Sequence, residues 1–564
     1  MQYQLKFKIA NACRCCKHLL IIVFALLLPE IATSQDIKKD VRVVKPYKPS
    51  VSDANKINIL PEINDTTTFR PSFTYSIVPV KLNTGYELRP ISAARMVAEP
   101  IPKLYKSYLK LGYGNYSTPL LELDISNLRS KNWQYGALVH HLSSGGKLKL
   151  ANGDKVFAGY GNNDISLFGK KINRKTEWTG NIDFSSKSVY YYGYDADTVR
   201  IPPPEKKDIK QNFIRLGAGT TIASTHPDSN HFNYNITAQY QYIRDKFEDA
   251  EHGIHLNAFT ERFRRDNLIG ANSGIDYYHT TPSIDSSYNA VVMVNPYFSR
   301  SSDEWKFVLG FNSYLDLASG HSKLYLYPRA SLQFNIVKNI LIPYLGVDGH
   351  LETNNYEKIA GENPFIMPGL HVKPTDHQIE GYAGLKGKFS SKGTFNLKVS
   401  YSIINNAYFF VNDSLSEFGT RFSTVYDDIE LVHYFGELGY DYSEKLRFLL
   451  RGNIYNYTMF YEEKPWHKPS WEVNLETRYN IQDKIIASAS INLLSKRWAK
   501  SYKQGQPPIE LSAVPDINLG VEYRYTRILS AFIRFNNLGA ARYYQWNQYP
   551  SQRFFVMAGF TYQL

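Results

Sequence analysis

Cysteine is scarce in this chain. Its 564 residues hold three, Cys13, Cys15 and Cys16, all ahead of the first long apolar run. No apolar run approaches the roughly 20 residues that a membrane-spanning helix needs, so a helical membrane protein is excluded. Charged residues make up only 21 %, while Tyr 44, Phe 31 and Trp 7 bring the aromatics to 15 %. That composition argues against a disordered chain, and the cysteine count argues against a disulfide scaffold. The formal charge of +13 is dispersed rather than gathered into a patch, so nucleic acid is not an expected partner.

The N-terminus has the three parts of an export leader. Lys6, Lys8, Arg14 and Lys17 precede the apolar run Leu19 to Leu28, and Ala32, Thr33 and Ser34 follow it. Ten apolar residues are too few to span a bilayer but enough for the export machinery. Residues 1–34 read as a signal peptide cut after Ser34. Cutting there removes every cysteine, and with them any thiol nucleophile, disulfide or lipidated anchor. It also removes four basic groups and Glu30, leaving a formal charge of about +10.

Residues 35–106 have eight prolines and little periodicity. Such a segment is extended chain: a linker, a strap inside a larger structure, or a docking peptide for a periplasmic partner through residues 35–105, with KPYKPS as its handle.

From 107 to 564 the pattern changes to period two. Phe232, Tyr234, Ile236, Ala238, Tyr240 and Tyr242 alternate with Asn233, Asn235, Thr237, Gln239 and Gln241. Leu446, Phe448, Leu450 and Ile454 oppose Arg447, Arg451 and Asn453, and Ile517, Leu519, Val521 and Tyr523 oppose Asn518, Glu522 and Arg524. This is the signature of strands with one face toward lipid and the other toward water. About 22 such segments are expected, and their connections alternate between about 4 and about 15 residues, as short periplasmic turns and long outer loops do in a membrane barrel. A soluble sandwich has no reason to keep that phase. KVFAGY (155–160) and NAYFFV (406–411) stand as strand extensions that could change the count by two. The fold class expected is all-β: a large closed antiparallel transmembrane β-barrel in the outer membrane. Outer-membrane lipid is then the surrounding medium, and Tyr190, Tyr191, Tyr192, Tyr543, Tyr544 and Trp546 are candidates for head-group level.

The last 33 residues, FIRFNNLGAARYYQWNQYPSQRFFVMAGFTYQL, resemble the end of a TonB-dependent receptor barrel. They hold an Asn-Leu after the penultimate strand, an aromatic-rich loop with Trp546, Tyr549 and Pro550, and a final alternating strand. The resemblance implies that Phe554, Val556, Ala558, Phe560, Tyr562 and Leu564 form the signal read by the outer-membrane insertion machinery, although Leu564 stands where an aromatic is usual. It also implies a 22-strand barrel that passes or receives a solute. The chain departs from those receptors in having only about 70 Pro-rich residues where a complete plug would fold, so it is similar to plugless members of the group. The resemblance does not by itself carry TonB-energised uptake over to this chain; Val41, Val43 and Val44 are the segment that could add to TonB as an edge strand.

Catalytic and metal chemistry find no constellation. His252 and His255, like His140 and His141, fall on opposite faces of a strand; Asp195 and Asp197 read as a solvated turn; GYGNYS ends a strand rather than opening a helix; and G-x-S-x-G is absent. No enzyme and no cofactor is expected. The inward face carries the candidate lumen charges Lys386, Lys388, Arg447, Arg451, Arg524 and Arg534, which would favour anionic solutes or, the more ordinary reading, belong to a polar lumen whose charges pair with each other or with the N-terminal strap. A lumen this wide needs an obstruction, from residues 35–105 or from the long loops 353–378 and 404–428. The other role open to such a barrel is structural, as the membrane-embedded subunit of an envelope assembly.

Overall fold

The computed structural model describes residues 104–564 except 129, 151–152, 195–204, 226–230, 282–286, 319, 339, 371, 415, 417–418, 502 and 504. The leader with its cysteines, the Pro-rich stretch to residue 103 including Val41, Val43 and Val44, and the pair Asp195 and Asp197 lie outside the described residues.

Twenty-two strands form one antiparallel sheet that closes on itself. In chain order they are β1 (Ser107–Gly114), β2 (Thr118–Ser126), β3 (Trp133–Ser144), β4 (Tyr160–Ile172), β5 (Thr176–Tyr190), β6 (Lys210–Ser224), β7 (Asn233–Arg244) and β8 (Ala250–Arg264). There follow β9 (Asn267–Thr281), β10 (Ser287–Ser301), β11 (Trp305–Ala318), β12 (His321–Phe334), β13 (Leu341–Glu352), β14 (Thr375–Lys388) and β15 (Gly393–Asn412). The last are β16 (Phe422–Ser443), β17 (Leu446–Met459), β18 (Trp471–Ile481), β19 (Ile485–Leu494), β20 (Val514–Arg524), β21 (Leu529–Asn536) and β22 (Phe555–Gln563). Each pairs with its sequence neighbour, and β22 closes on β1 from Tyr108↔Gln563 to Gly114↔Met557. The seam is locked at its base, where Ser107 donates to the Leu564 carbonyl at 3.0 Å and Leu564 donates to Ser107 at 3.0 Å. Closure leaves the sheet without a free edge, the condition for β-structure in hydrocarbon.

Alternation sorts the side chains. Leu324 and Leu326 stand 71 % and 68 % exposed on the exterior. Between and beyond them Tyr325, Tyr327 and Arg329 point inward. Exposed leucines at this density would aggregate in water and are what a bilayer requires. In β22, Val556, Ala558, Phe560 and Tyr562 alternate with Met557 and Thr561, which are buried inside. Phe554 precedes the strand and stacks on Phe535 at 6.2 Å, and Leu564 follows it, exposed.

The ten turns after even-numbered strands run from 2 to 8 residues, and the connections at the other end reach 22. At the short-turn rim Trp133, Trp178, Tyr442, Tyr479 and Tyr523 face outward and exposed, a girdle at head-group level.

The two uncertain extensions leave the count unchanged. Lys155–Phe157 pairs with Lys147–Lys149 as a separate hairpin in the loop between β3 and β4. NAYFFV continues β15 past a register shift between Ile404 and Ala407, where Asn406 takes a φ of 52°. The bulge reverses the alternation, so the strand reads as ending there.

Candidate functional site

The longest connection at the long-loop end, between β13 and β14, folds into the mouth of the barrel. It carries a short helix, α1 (Tyr356–Glu362), whose N-cap Asn355 accepts a hydrogen bond from the Lys358 amide at 2.9 Å. Acidic groups from the β7–β8 region hold it down. Glu251 accepts from the free amides of Tyr356 at 2.8 Å and Glu357 at 3.4 Å, a carboxylate placed where a helix start favours negative charge. Asp245 accepts from the Tyr356 hydroxyl at 3.1 Å and from the Gln211 amide at 3.0 Å. Burial pushes the Asp245 carboxyl above its usual range, with those hydrogen bonds pulling the other way. Arg215 of the wall pairs with Glu357, and Asp249 receives the amide of Gly369, whose φ of 68° suits glycine. At the far end of α1, Glu362 takes Tyr408 at 2.6 Å and Lys468 at 2.9 Å.

Beyond the helix, residues 365–367 lie along the start of β16. Phe422 donates to Phe365 at 2.9 Å, and Met367 donates to Phe422 at 2.8 Å. Around this strip Ile359, Ile366, Phe410 and Phe422 are 0 % exposed and pack with Val189, Tyr356, Trp546 and Tyr549. At about 1.5–3 kcal/mol for each large apolar side chain buried, this is a folded layer rather than a tethered loop. Tyr549 stacks on Phe365 at 3.8 Å between ring centres and donates to the Thr420 carbonyl at 2.6 Å.

This layer corrects one expectation. Tyr191 and Trp546 do not sit at head-group level; both are buried in the mouth core, and Tyr191 donates to the Ile366 carbonyl at 2.9 Å. Tyr192 packs edge-on against Phe365 and Tyr549. Proximity to strand ends is the same signal for a lipid girdle and a loop core, and only the loop packing separates them.

A second tie joins the neighbouring loops. His467 is neutral: its Nδ1–H donates to Phe410 at 2.9 Å and its Nε2 accepts from the Asn547 amide at 3.2 Å. Burial lowers its pKa to about 3, the Phe410 carbonyl opposing, and nearby Arg497 and Lys468 push the same way as burial. Arg497 donates to the Gln545 carbonyl at 2.9 Å and to that of Tyr544 at 2.5 Å.

Beneath Phe365 and Tyr192 lies a chamber of about 940 Å³, walled by groups that include Glu122, His140, Asp516, Arg534, Tyr543 and Met557. Ser490, Asn518, Arg534 and Asn536 also line a second cavity of about 630 Å³, which extends to Arg447 and Arg478 near the short turns. The two cavities form one continuous inner surface along β17 to β22.

The candidate charges sit along the inner wall. Arg451 bonds Glu437 at 2.8 Å, Arg447 is 3.6 Å from Asp441, and Arg524 is 3.7 Å from Glu522. Lys386 lies over the Tyr344 ring at 5.3 Å, Arg534 lies over Phe532 at 5.3 Å, and Lys388 ends β14. The structure does not gather all six; it brings Arg447 and Arg534 to one cavity. Arg478 joins them there. Sequence reasoning missed it, although it continues the alternation of Glu472, Asn474 and Glu476. His140 faces Asp164 at 3.3 Å and the chamber, while His141 turns to Asn163 at 2.6 Å. His255 meets Asp276 at 2.8 Å inside and His252 meets Tyr240 at 2.8 Å outside.

No protein-family model matches the chain, and no curated protein does. Solved structures do. The siderophore receptor PirA from Acinetobacter baumannii superposes with a TM-score of 0.65 at 10 % identity, covering 83 % of this chain and 81 % of that one. The FrpB iron transporter from Neisseria meningitidis gives 0.64 at 9 %, covering 82 % of each. The pyoverdine outer membrane receptor FpvA from Pseudomonas aeruginosa PAO1 gives 0.61 at 11 %, covering 83 % and 79 %. At these identities the likeness is one of fold, a closed barrel shared with these receptors and transporters.

Proposed function

We propose that this chain is an outer-membrane barrel that receives a solute at its mouth and passes it inward, with the α1 loop as the gate. One observation carries the reading: a folded loop layer packs into the long-loop end above a chamber whose lining continues to the short-turn end. A solid core would leave no such path, and an open pore would have no cap. Similarity of fold to siderophore and iron receptors supports the same reading.

The test is ionic current through the purified barrel in planar bilayers. Tyr356→Ala with Ile359→Ala removes two buried side chains from the cap and is recorded alone and combined with deletion of residues 35–105. The wild-type chain is expected to stay closed, and the cap variant to carry current in at least the combined form. Current no greater than wild type in both forms overturns the proposal.

A further inference from the structure

We propose that the lower wall from β17 to β21 is a binding site for a solute bearing two or more anionic groups, phosphate or carboxylate. The inference rests on the solute path just described and adds the chemistry of what it takes.

Arg447 and Arg478 stand directly opposite one another across β17 and β18. Opposed residues in an antiparallel pair have Cα atoms about 4.5–5.5 Å apart, and like charges so placed repel. The compensation on hand is thin. Asp441 lies 3.6 Å from Arg447, but both side chains are more than half exposed, and such pairs contribute little. Glu476 is in the same cavity but leans 4.0 Å from Arg451. Arg534 completes the wall; Glu476 is the one carboxylate in the cavity's lining, Asp441 flanks Arg447, and Glu122 and Asp516 stand in the adjoining chamber, with Ser488 and Asn518 between the guanidiniums as neutral partners.

Spacing sets the size of the solute. Three strand steps separate Arg478 from Arg534, and at about 4.8 Å a step their backbones lie about 14 Å apart. A small monoanion reaches one end of that span. A polyanion reaches both, each anionic group taking a guanidinium fork in paired hydrogen bonds. Arg534 lines the capped chamber as well, so the site begins where the chamber ends.

Calorimetric titration of the purified full chain in detergent, at low salt, with pyrophosphate and separately with citrate tests this. The wild-type protein is expected to bind at least one of them, pyrophosphate alone marking a phosphate site and citrate alone a carboxylate site. Arg478→Gln and Arg447→Gln are each expected to weaken binding about tenfold, and Glu476→Gln to tighten it. Heat-dependent gel mobility shows that each variant is still a closed barrel. The proposal is overturned if the wild type binds neither polyanion, or if the triple variant Arg447→Gln, Arg478→Gln, Arg534→Gln binds as tightly as the wild type. Binding is read without passage, so its failure with an intact cap-variant current would leave the transport reading standing.

Discussion

Gly559 has no room for a side chain. A Cβ there would lie 2.0 Å from the Leu111 carbonyl oxygen and 2.7 Å from the Gly112 Cα. Gly112 and Gly559 are partners across the β1–β22 seam, and the Phe532 ring from β21 covers both, shielding backbone that has no side chains of its own. The last strand can therefore meet the first only if glycine stands here. Gly559→Val is expected to block closure: the protein should fail to reach the fast-migrating, heat-modifiable form on gels, while Gly361→Val, placed in open space, should reach it. Normal mobility for Gly559→Val would show that the seam tolerates a gap. The seam was half legible in the sequence. The alternation of Val556, Ala558, Phe560 and Tyr562 marks an exterior face, but nothing local assigns Gly559 to Gly112, which is more than 400 positions away.

The cap is an element that the sequence showed only as length. Residues 353–378 read as a long loop because YEKIAGE is too short for a helical period to emerge. Its anchors, Glu251 and Asp245, precede it by more than a hundred residues. β15 and β16 run into the 404–428 stretch that reads as a loop, for a related physical reason. Above the bulge Phe409 and Phe410 are buried on opposite faces, in two different clusters, so period two carries no signal. The mouth layer should also respond to acid. His467 must be neutral to make both of its bonds, and its folded pKa of about 3 lies below the unfolded value of about 6.5. Its contribution is therefore complete above pH 6.5 and is lost as the pH falls toward 3. Going from pH 7 to pH 5 should cost the loop layer about 2 kcal/mol. Hydrogen exchange over 460–470 and 544–550, corrected for intrinsic rates, measures it. His467→Gln should abolish the pH dependence of protection in those segments, and a dependence unchanged in that variant would contradict the assignment.

At the scale of the whole molecule, the closed sheet was the most legible feature. A barrel in lipid turns the usual rule inside out, with apolar residues outward and a wet, charged interior, and it repeats that contrast in every strand. Twenty-two repetitions make a weak signal strong, which is why the strands could be read one by one. What the repetition could not carry is the join between strands far apart in sequence: the aromatic mouth, the register that sets Arg447 against Arg478, and the chamber under Phe365. Those depend on loops and on pairing, and neither has a period.

The barrel is a cylinder with lipid outside and water within. Because the mature chain is expected to carry no cysteine, single cysteines can report it directly. Placed one at a time from Leu446 to Ile454 in protein reconstituted into liposomes, they are challenged with a charged, water-soluble thiol reagent. Labelling is expected at 447, 449, 451 and 453 and protection at 446, 448, 450 and 454. Uniform labelling, or labelling of the second set instead of the first, would contradict it.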